Sequence, residues 1–532
     1  MSFVSIGFLI FLLVVCTLYF LVPARMQWCV LLAASYFFYL AGGIGITAFL
    51  LLSTAVTFLA GRLLGKIDDT TALYLKAVKS DLTRQEKKQY KEQQKKKKKR
   101  VLAAALILNI GILIVLKYGS FLLLNGNSIL RLLGFSCTMP LMNFLLPLGI
   151  SFYTLQSAGY VIDIFRNKYK PEENFFQYAL FVSYFPQIVQ GPIARHDELA
   201  HQLYEPHSFS YERATQGAQL ILWGFMKKLI LGERIAPYIA AVFENPANYS
   251  GNALLATVCI YGFQAYADFS GGMDIAMGVS EIFGISLAEN FRRPYFARSI
   301  QEFWRRWHIT LGAWMRDYVF YTLSLSKSFF QLGKKLEKYL GKYVSRKLPT
   351  FLSMFVVFLL VGIWHGAEWK YLLYGIYNGT IIVSSILLEP FYEKAAKKMH
   401  LNTENTGWHI FQMLRTLLLC SFGRFLSRGD SCRTALGMMK RTLLTFSFSV
   451  TPASILRETG WQTADLWIVG LSAFLFLAVG ILQEKNIKIR SLIARQNLAL
   501  RWMIYIGALL LLAILGVYGP GYSVSEFIYE KF

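Results

Sequence analysis

The chain has 532 residues, of which 55% are hydrophobic, 16% aromatic and only 16% charged, against roughly 25% charged in a soluble domain. That balance excludes an ordinary water-soluble globule, whose core confines apolar residues to shorter elements. The formal net charge of +24 does not indicate nucleic acid, because the cations sit between apolar runs and no reader motif accompanies them.

Apolar runs of about 20 residues, the length that crosses a hydrocarbon core of ~30 Å, recur from end to end. In chain order, spans are predicted at 3–22, 28–41, 45–65, 101–123, 141–163, 174–192, 215–233, 252–270, 351–369, 371–389, 409–426, 465–483 and 499–518. Several are short or broken by Gly and Pro. The expected fold is therefore all-α: a polytopic membrane protein with about 11 transmembrane helices plus re-entrant or interfacial helices. The whole chain, 1–532, reads as a single integral membrane domain. Within it, 66–100 is expected as a basic cytoplasmic loop, 140–375 as the motif-bearing catalytic core and 376–532 as C-terminal helices. The first span has no basic leader and no small-residue cleavage site, so it is read as a mature helix.

Charge sets orientation. Residues 62–100 carry 14 Lys or Arg against five acidic residues, ending in five lysines and Arg100. The positive-inside rule places this segment in the cytoplasm, where it also attracts anionic lipid headgroups. The six cysteines are scattered without Cys-x-x-Cys spacing, and buried thiols behave as small hydrophobes. The seven histidines form no metal-binding pattern, so no metal is expected.

Ionisable and polar residues inside apolar segments are costly and point to function. Residues 147–163 place Ser151, Tyr153, Gln156 and Asp163 in apolar surroundings. Residues 185–195 hold two prolines and a glycine, breaks tolerated at membrane depth only around a cavity or within protein. Residues 266–274 carry Asp268, Ser270 and Asp274 around Gly271-Gly272. Each of these three stretches alone reads first as interhelical glue and only second as chemistry.

Residues 301–318 read as one amphipathic helix. Trp304, Trp307, His308, Leu311, Trp314, Met315 and Tyr318 form a stripe at helical spacing, with Arg305, Arg306, Arg316 and Asp317 off it. An imidazole in such a stripe must be hydrogen-bonded or reach a polar cavity. His365 stands out further, because it follows the nearly uniform apolar run 351–362 in the sequence Trp364-His365-Gly366. The preceding residues 327–347 carry seven basic residues against Glu337 alone, so they are expected in the cytoplasm. A helix rising from Thr350 lifts His365 by about 22 Å, into the outer half of the bilayer. A neutral imidazole is the usual general acid or base near neutral pH.

Taken together, residues 147–166, 185–195, 266–274, 289–295, 302–318 and 364–366 resemble the membrane-bound O-acyltransferase family. They are most similar to its bacterial branch, which includes the alginate O-acetyltransferase membrane subunit and the teichoic acid D-alanyltransferase. The resemblance implies a ring of tilted helices with a thinned centre, a tunnel for the acyl donor and a funnel for the acceptor. It maps the family's reactive histidine to His365 and its second polar position to His308. Trp304, Arg305, Trp307, Trp364, Asp268, Ser270 and Gln156 are the candidate substrate-binding residues. No bound cofactor is expected; acetyl-CoA or an acyl-carrier thioester serves as co-substrate. The lipid bilayer, a cytoplasmic acyl donor and exported or membrane-anchored polysaccharide-acetylating proteins are the expected partners, in a bacterial cytoplasmic membrane. Where relatives of the alginate type carry Pro-Leu-Gly-Gly, this chain reads Thr322-Leu-Ser-Leu-Ser326, which leaves the acceptor open. The expected activity moves an acyl group, acetyl in the first instance, to a hydroxyl of an extracytoplasmic polysaccharide or cell-wall polymer. D-alanyl transfer to teichoic acid is the alternative within the family. A transporter or flippase of lipid-linked glycan is the alternative of a different class, disfavoured by the lack of an internal repeat. A scaffold for an exported polysaccharide-modifying enzyme is compatible with acyl transfer.

The two basic segments generate a topology test. Single cysteines placed in 84–100 and in 334–347, on a cysteine-free background, should react with an impermeant thiol reagent only after cells are opened. Labelling of either in intact cells reverses the orientation.

Overall fold

A computed structural model describes residues 2–78, 82–135, 138–141 and 146–519. Lys79, Asp81 and Cys137, used in the charge and cysteine readings, and residues 142–145 of the predicted span 141–163, lie outside the described residues. The described residues are built from helices, with no strand among them and an isolated antiparallel bridge between Phe291 and Trp307. Among the described residues five helices are long and apolar enough to cross a membrane: Ile44–Ala77, Arg84–Leu132, Lys327–His365, Thr463–Glu484 and Leu498–Leu515. A sixth crossing is counted if Trp369–Leu387 and Glu389–Lys398, bent by 56°, form one span. The expected all-α membrane architecture is present. Length and composition support five or six crossings, where the sequence suggests about 11.

Two of the predicted spans in the middle of the chain are interrupted by helix breakers. The predicted span 174–192 resolves into Phe175–Ser183 and the four-residue Phe185–Ile188, divided ahead of Pro186. Proline has no N–H to donate within a helix, and its ring clashes with the carbonyl four residues earlier. Among the described residues of the predicted span 141–163, helix starts at Ile150, after Gly149 in a left-handed conformation with φ 68°. A Cβ at Gly149 would stand 1.9 Å from the Ile188 carbonyl oxygen, so the approach of the two segments requires glycine. The segment 66–100, expected as a loop, is instead helical over 66–77 and 84–100. Ile44–Ala77 runs into it, and Arg84–Leu113 leaves it behind a capping box of Thr83 and Glu86. Likewise 327–347 continues the helix that ends at His365, kinked at Gly341 with φ 75°.

The chain forms two compact units, Met1–Gly217 with Val279–Ala288, and Ala218–Gly278 with Glu289–Phe532. In the first, polar side chains stitch apolar helices together. Ser53 donates to Asn109 at 2.5 Å, Asn109 donates to the Thr154 carbonyl at 3.0 Å, and buried Lys98 reaches Asp68 at 2.6 Å and Asn167 at 2.8 Å. Such bonds count where helix association lacks a hydrophobic drive.

In the second unit Leu498–Leu515 and the apolar stretch of Thr463–Glu484 are almost wholly unburied, leaving apolar surface for lipid. Its core is the antiparallel pair Lys327–His365 and Trp369–Leu387. These helices cross on glycines: a Cβ on Gly362 would lie 2.3 Å from the Tyr371 carbonyl oxygen, and one on Gly375 would lie 2.5 Å from that of Phe358. Small residues at such crossings let backbones approach closely. Gly375→Ala should therefore lower the melting temperature of the detergent-solubilised protein, by the ~1–3 kcal/mol typical of overpacking. Gly507→Ala, where nothing lies within 4 Å of the new carbon, should leave it unchanged or raise it, since alanine favours helix.

Candidate active site

His365 is the last residue of its helix and is buried. Gly366 follows in extended backbone, and a Cβ there would stand 2.3 Å from the Tyr371 ring. That contact explains why glycine must follow the histidine: the returning helix packs its first turn against the turn that ends at His365. Tyr371, Tyr374 and Asn378 recur at intervals of three and four, so they share one face of the returning helix. The His365 ring stacks on Tyr371 at 6.4 Å and meets Tyr374 edge-on at 5.8 Å between centroids.

His308 is not mid-helix. The amphipathic helix expected over 301–318 breaks after Ile300–Arg306. Trp307 is extended, His308 is left-handed with φ 49° and ψ 54°, and helix resumes at Ile309–Trp314. The cause is the segment at Asn290. Its carbonyl accepts from Ile309 N at 3.0 Å, and Arg292 N donates to the Arg306 carbonyl at 2.9 Å. The Asn290 side-chain oxygen accepts from Thr310 N at 3.0 Å and Thr310 Oγ1 at 2.9 Å, and faces His308 Nδ1 at 3.2 Å. A strained conformation at a non-glycine residue persists only when its surroundings over-determine it, and three bonds to one amide oxygen do so.

Trp364 lies between the two imidazoles. Its ring centroid is 5.5 Å from that of His308 and 5.3 Å from that of His365. Phe269 closes the other side of His308 at 5.0 Å. The two histidines thus belong to one cluster of edge-on aromatic contacts, although 57 positions separate them in sequence.

A small cavity of about 40 Å³ opens beside His365, room enough to admit a small polar group. It is lined by Tyr261, Phe303, Trp304, Trp307, Tyr374, Asn378, Cys420, Arg424 and Ser427, none of them acidic. Trp304 Nε1 donates to Asn378 Oδ1 at 3.3 Å, and Asn378 in turn donates to the Tyr374 carbonyl at 2.9 Å. A hydroxyl brought into this cavity would meet an imidazole able to take its proton. Among the described residues no group of three or more His, Cys, Asp or Glu is placed to hold a metal.

The other predicted site residues divide. Trp304 and Trp307 line the cavity, while Trp364 separates the histidines. Arg305 is exposed and borders a separate apolar groove with Gln301, Ile309 and Arg316. Asp268 is held by the fully buried Lys228, which also pairs with Glu233 at 2.7 Å. Ser270 accepts from Lys227, which pairs with Asp274 at 2.6 Å, and both border a second, polar cavity next to Asn290. Gln156 lies in the first unit, where it donates to the Phe181 carbonyl at 2.7 Å and accepts from Gln187 at 2.6 Å.

Asn290, Tyr374, Asn378 and Arg424 were not singled out from sequence as site residues. Asn378 and Arg424 fall inside predicted spans, so the rule that intramembrane polar groups point to function would have found them. Asn290 offered no such signal. Asn290→Ala should strand the Thr310 donors at about 1–3 kcal/mol of stability, and should reduce turnover through the His308 turn. On a His308→Ala background the same change should cost little further activity, which a double-mutant cycle measures.

The model of the membrane-bound O-acyltransferase family, MBOAT, matches residues 166–428. The chain is 31% identical over 363 residues to a protein of Pseudomonas syringae pv. tomato named probable alginate O-acetylase AlgI, covering 68% of this chain and 64% of that one. Its counterpart of the same name in Pseudomonas putida is 30% identical over 370 residues, 69% of this chain and 70% of the relative. The peptidoglycan O-acetyltransferase of Helicobacter pylori is 30% identical over 321 residues, 56% of each. The chain thus spans a little under two thirds of the Pseudomonas syringae relative and just over half of the Helicobacter one.

Proposed function

The chain belongs to the membrane-bound O-acyltransferase family, and on that premise we propose that it transfers an acyl group, in our reading acetyl, from a cytoplasmic thioester to a hydroxyl of an extracytoplasmic polysaccharide or cell-wall polymer. The observation that carries this reading is His365, a buried imidazole ending an apolar span and opening onto a cavity wall without carboxylates. The acceptor hydroxyl oxygen attacks the thioester carbonyl while His365 takes its proton. The tetrahedral intermediate then collapses, the carbon–sulfur bond breaks, and the thiolate leaves and is protonated. General-base help of this kind is worth roughly 10²–10⁴-fold. His308 holds the donor or the developing oxyanion, and its left-handed turn fixes the ring against Trp364. Trp304 and Trp307 supply the acceptor's aromatic platform. Asp268 and Ser270 keep the buried charges of their helices paired rather than touching substrate. In this reading the protein sits in the bacterial cytoplasmic membrane and works with exported polysaccharide-modifying partners.

Purified protein in lipid vesicles, supplied with radiolabelled acetyl-CoA outside and polysaccharide acceptor inside, should accumulate labelled ester. Transfer from an aminoacylated carrier protein, with no use of acetyl-CoA, would favour D-alanylation instead. His365→Ala should abolish transfer and keep a near wild-type melting temperature; wild-type turnover by that folded variant would sink the mechanism. At position 308, Asn should retain measurable activity while Ala loses about 10²–10³ in turnover, the effect of one lost oxyanion donor. His365→Asn should be as inactive as His365→Ala. Initial rates at saturating donor separate these effects from weakened binding. Equal inactivity of His308→Asn and His308→Ala would exchange the two histidines' roles.

A further inference from the structure

Four buried or largely buried cations of the second unit are neutralised at close range. Lys227 has Asp274 at 2.6 Å, Lys228 has Glu233 at 2.7 Å, Arg234 has Asp465 at 2.5 Å and Arg306 has Glu302 at 2.7 Å. Arg424 is different. It is 6% exposed and has no carboxylate partner among the described residues. Its neighbours are neutral: Ser421 Oγ at 3.3 Å, the Tyr295 hydroxyl at 3.4 Å, and the rings of Tyr295, Phe303 and Trp307 at 5.7–5.8 Å from the guanidinium carbon. A guanidinium has five N–H donors, so these two hydrogen bonds leave most of its donors uncommitted. Room is made for it on purpose-built backbone, since a Cβ on Gly262 would lie 2.3 Å from one of its terminal nitrogens.

Arg424 lines the same cavity as His365. A permanent charge buried without its counterion is costly, and three aromatic faces offset only part of that cost. The arrangement becomes favourable when a ligand brings the missing anion, because Arg binds carboxylate and phosphate in paired, charge-assisted bonds.

We propose that Arg424 is the acceptor-recognition residue: it binds a carboxylate or phosphate of an anionic glycan and so places the neighbouring hydroxyl at His365. The inference rests on the acyl-transfer reading for its consequence, but the anion site itself is measurable without catalysis. The probes are a uronate trisaccharide with its methyl ester, and a glycerol-phosphate trimer with glycerol, each added to the full-length protein in nanodiscs. Equilibrium dialysis should show at least one anionic probe binding about 10–100-fold more tightly than its neutral partner, the size of a lost charge-assisted bond. Arg424→Gln should erase that preference and Arg424→Lys should restore part of it. In the transfer assay Arg424→Gln should raise KM for the anionic acceptor and leave donor KM unchanged. If the glutamine variant fails to fold, the wild-type charge preference and the lysine variant still decide. Equal binding of charged and neutral probes by the wild type, or no binding of any, overturns the proposal, as does a defect that falls on donor KM, which would assign Arg424 to the donor's phosphates. Charge-selective binding without any acyl transfer would leave the anion site standing and remove the acyltransferase reading.

Discussion

The helices Lys327–His365 and Trp369–Leu387 approach at Gly362 and Gly375 until one added carbon on either would overlap a backbone oxygen of the other. Membrane helices gain little from hydrophobic association, so backbone proximity and dispersion must hold them. The same proximity brings Tyr371 and Tyr374 against the His365 ring and lets Asn378 reach Trp304. If the crossing opened by one side chain, the cavity beside His365 would lose its wall. The geometry around His365 is thus a by-product of packing two helices without Cβ atoms between them.

A second constraint is the handling of charge where water is scarce. Burying an ion is tolerable when a partner and further hydrogen bonds compensate it, and the pairs around Lys227 and Lys228 meet that condition. They occur on the π-helical stretch Met226–Gly232, whose wider turn presents two adjacent lysines to different carboxylates. Asp268, read from sequence as a substrate contact, is absorbed in this internal neutralisation. Arg424 lies outside it, and the contrast is what distinguishes a structural charge from one available to a ligand.

His308 shows how a turn can be enforced from a distance in sequence. Its backbone conformation disfavours a side chain, and nothing in residues 301–318 announces a break. The break is imposed by Asn290, whose amide oxygen takes the Thr310 donors that helix would otherwise use, and by the Phe291–Trp307 bridge. The gain is position. A helical His308 would point along the Trp304 stripe, whereas the turned one packs on Trp364.

Composition alone determined that the chain lives in a membrane, since 55% hydrophobic residues in runs of span length have no other stable home. The prominence of His365 was also legible, because an ionisable group after an uninterrupted apolar run has few structural excuses. Charge runs carried the expected orientation. The helicity of 66–77, 84–100 and 327–347 was not legible, because lysine-rich segments read as solvated loops, yet lysine is itself a good helix former and the apolar helices continue into them. Nor could sequence separate Asp268 from Arg424. Both are charges in apolar segments, and the local pattern around each is alike. Only the tertiary structure decided that one is paired with a lysine 40 positions away while the other faces the cavity of His365. That outcome depends on which helix faces meet, a property of long-range packing that no local periodicity encodes.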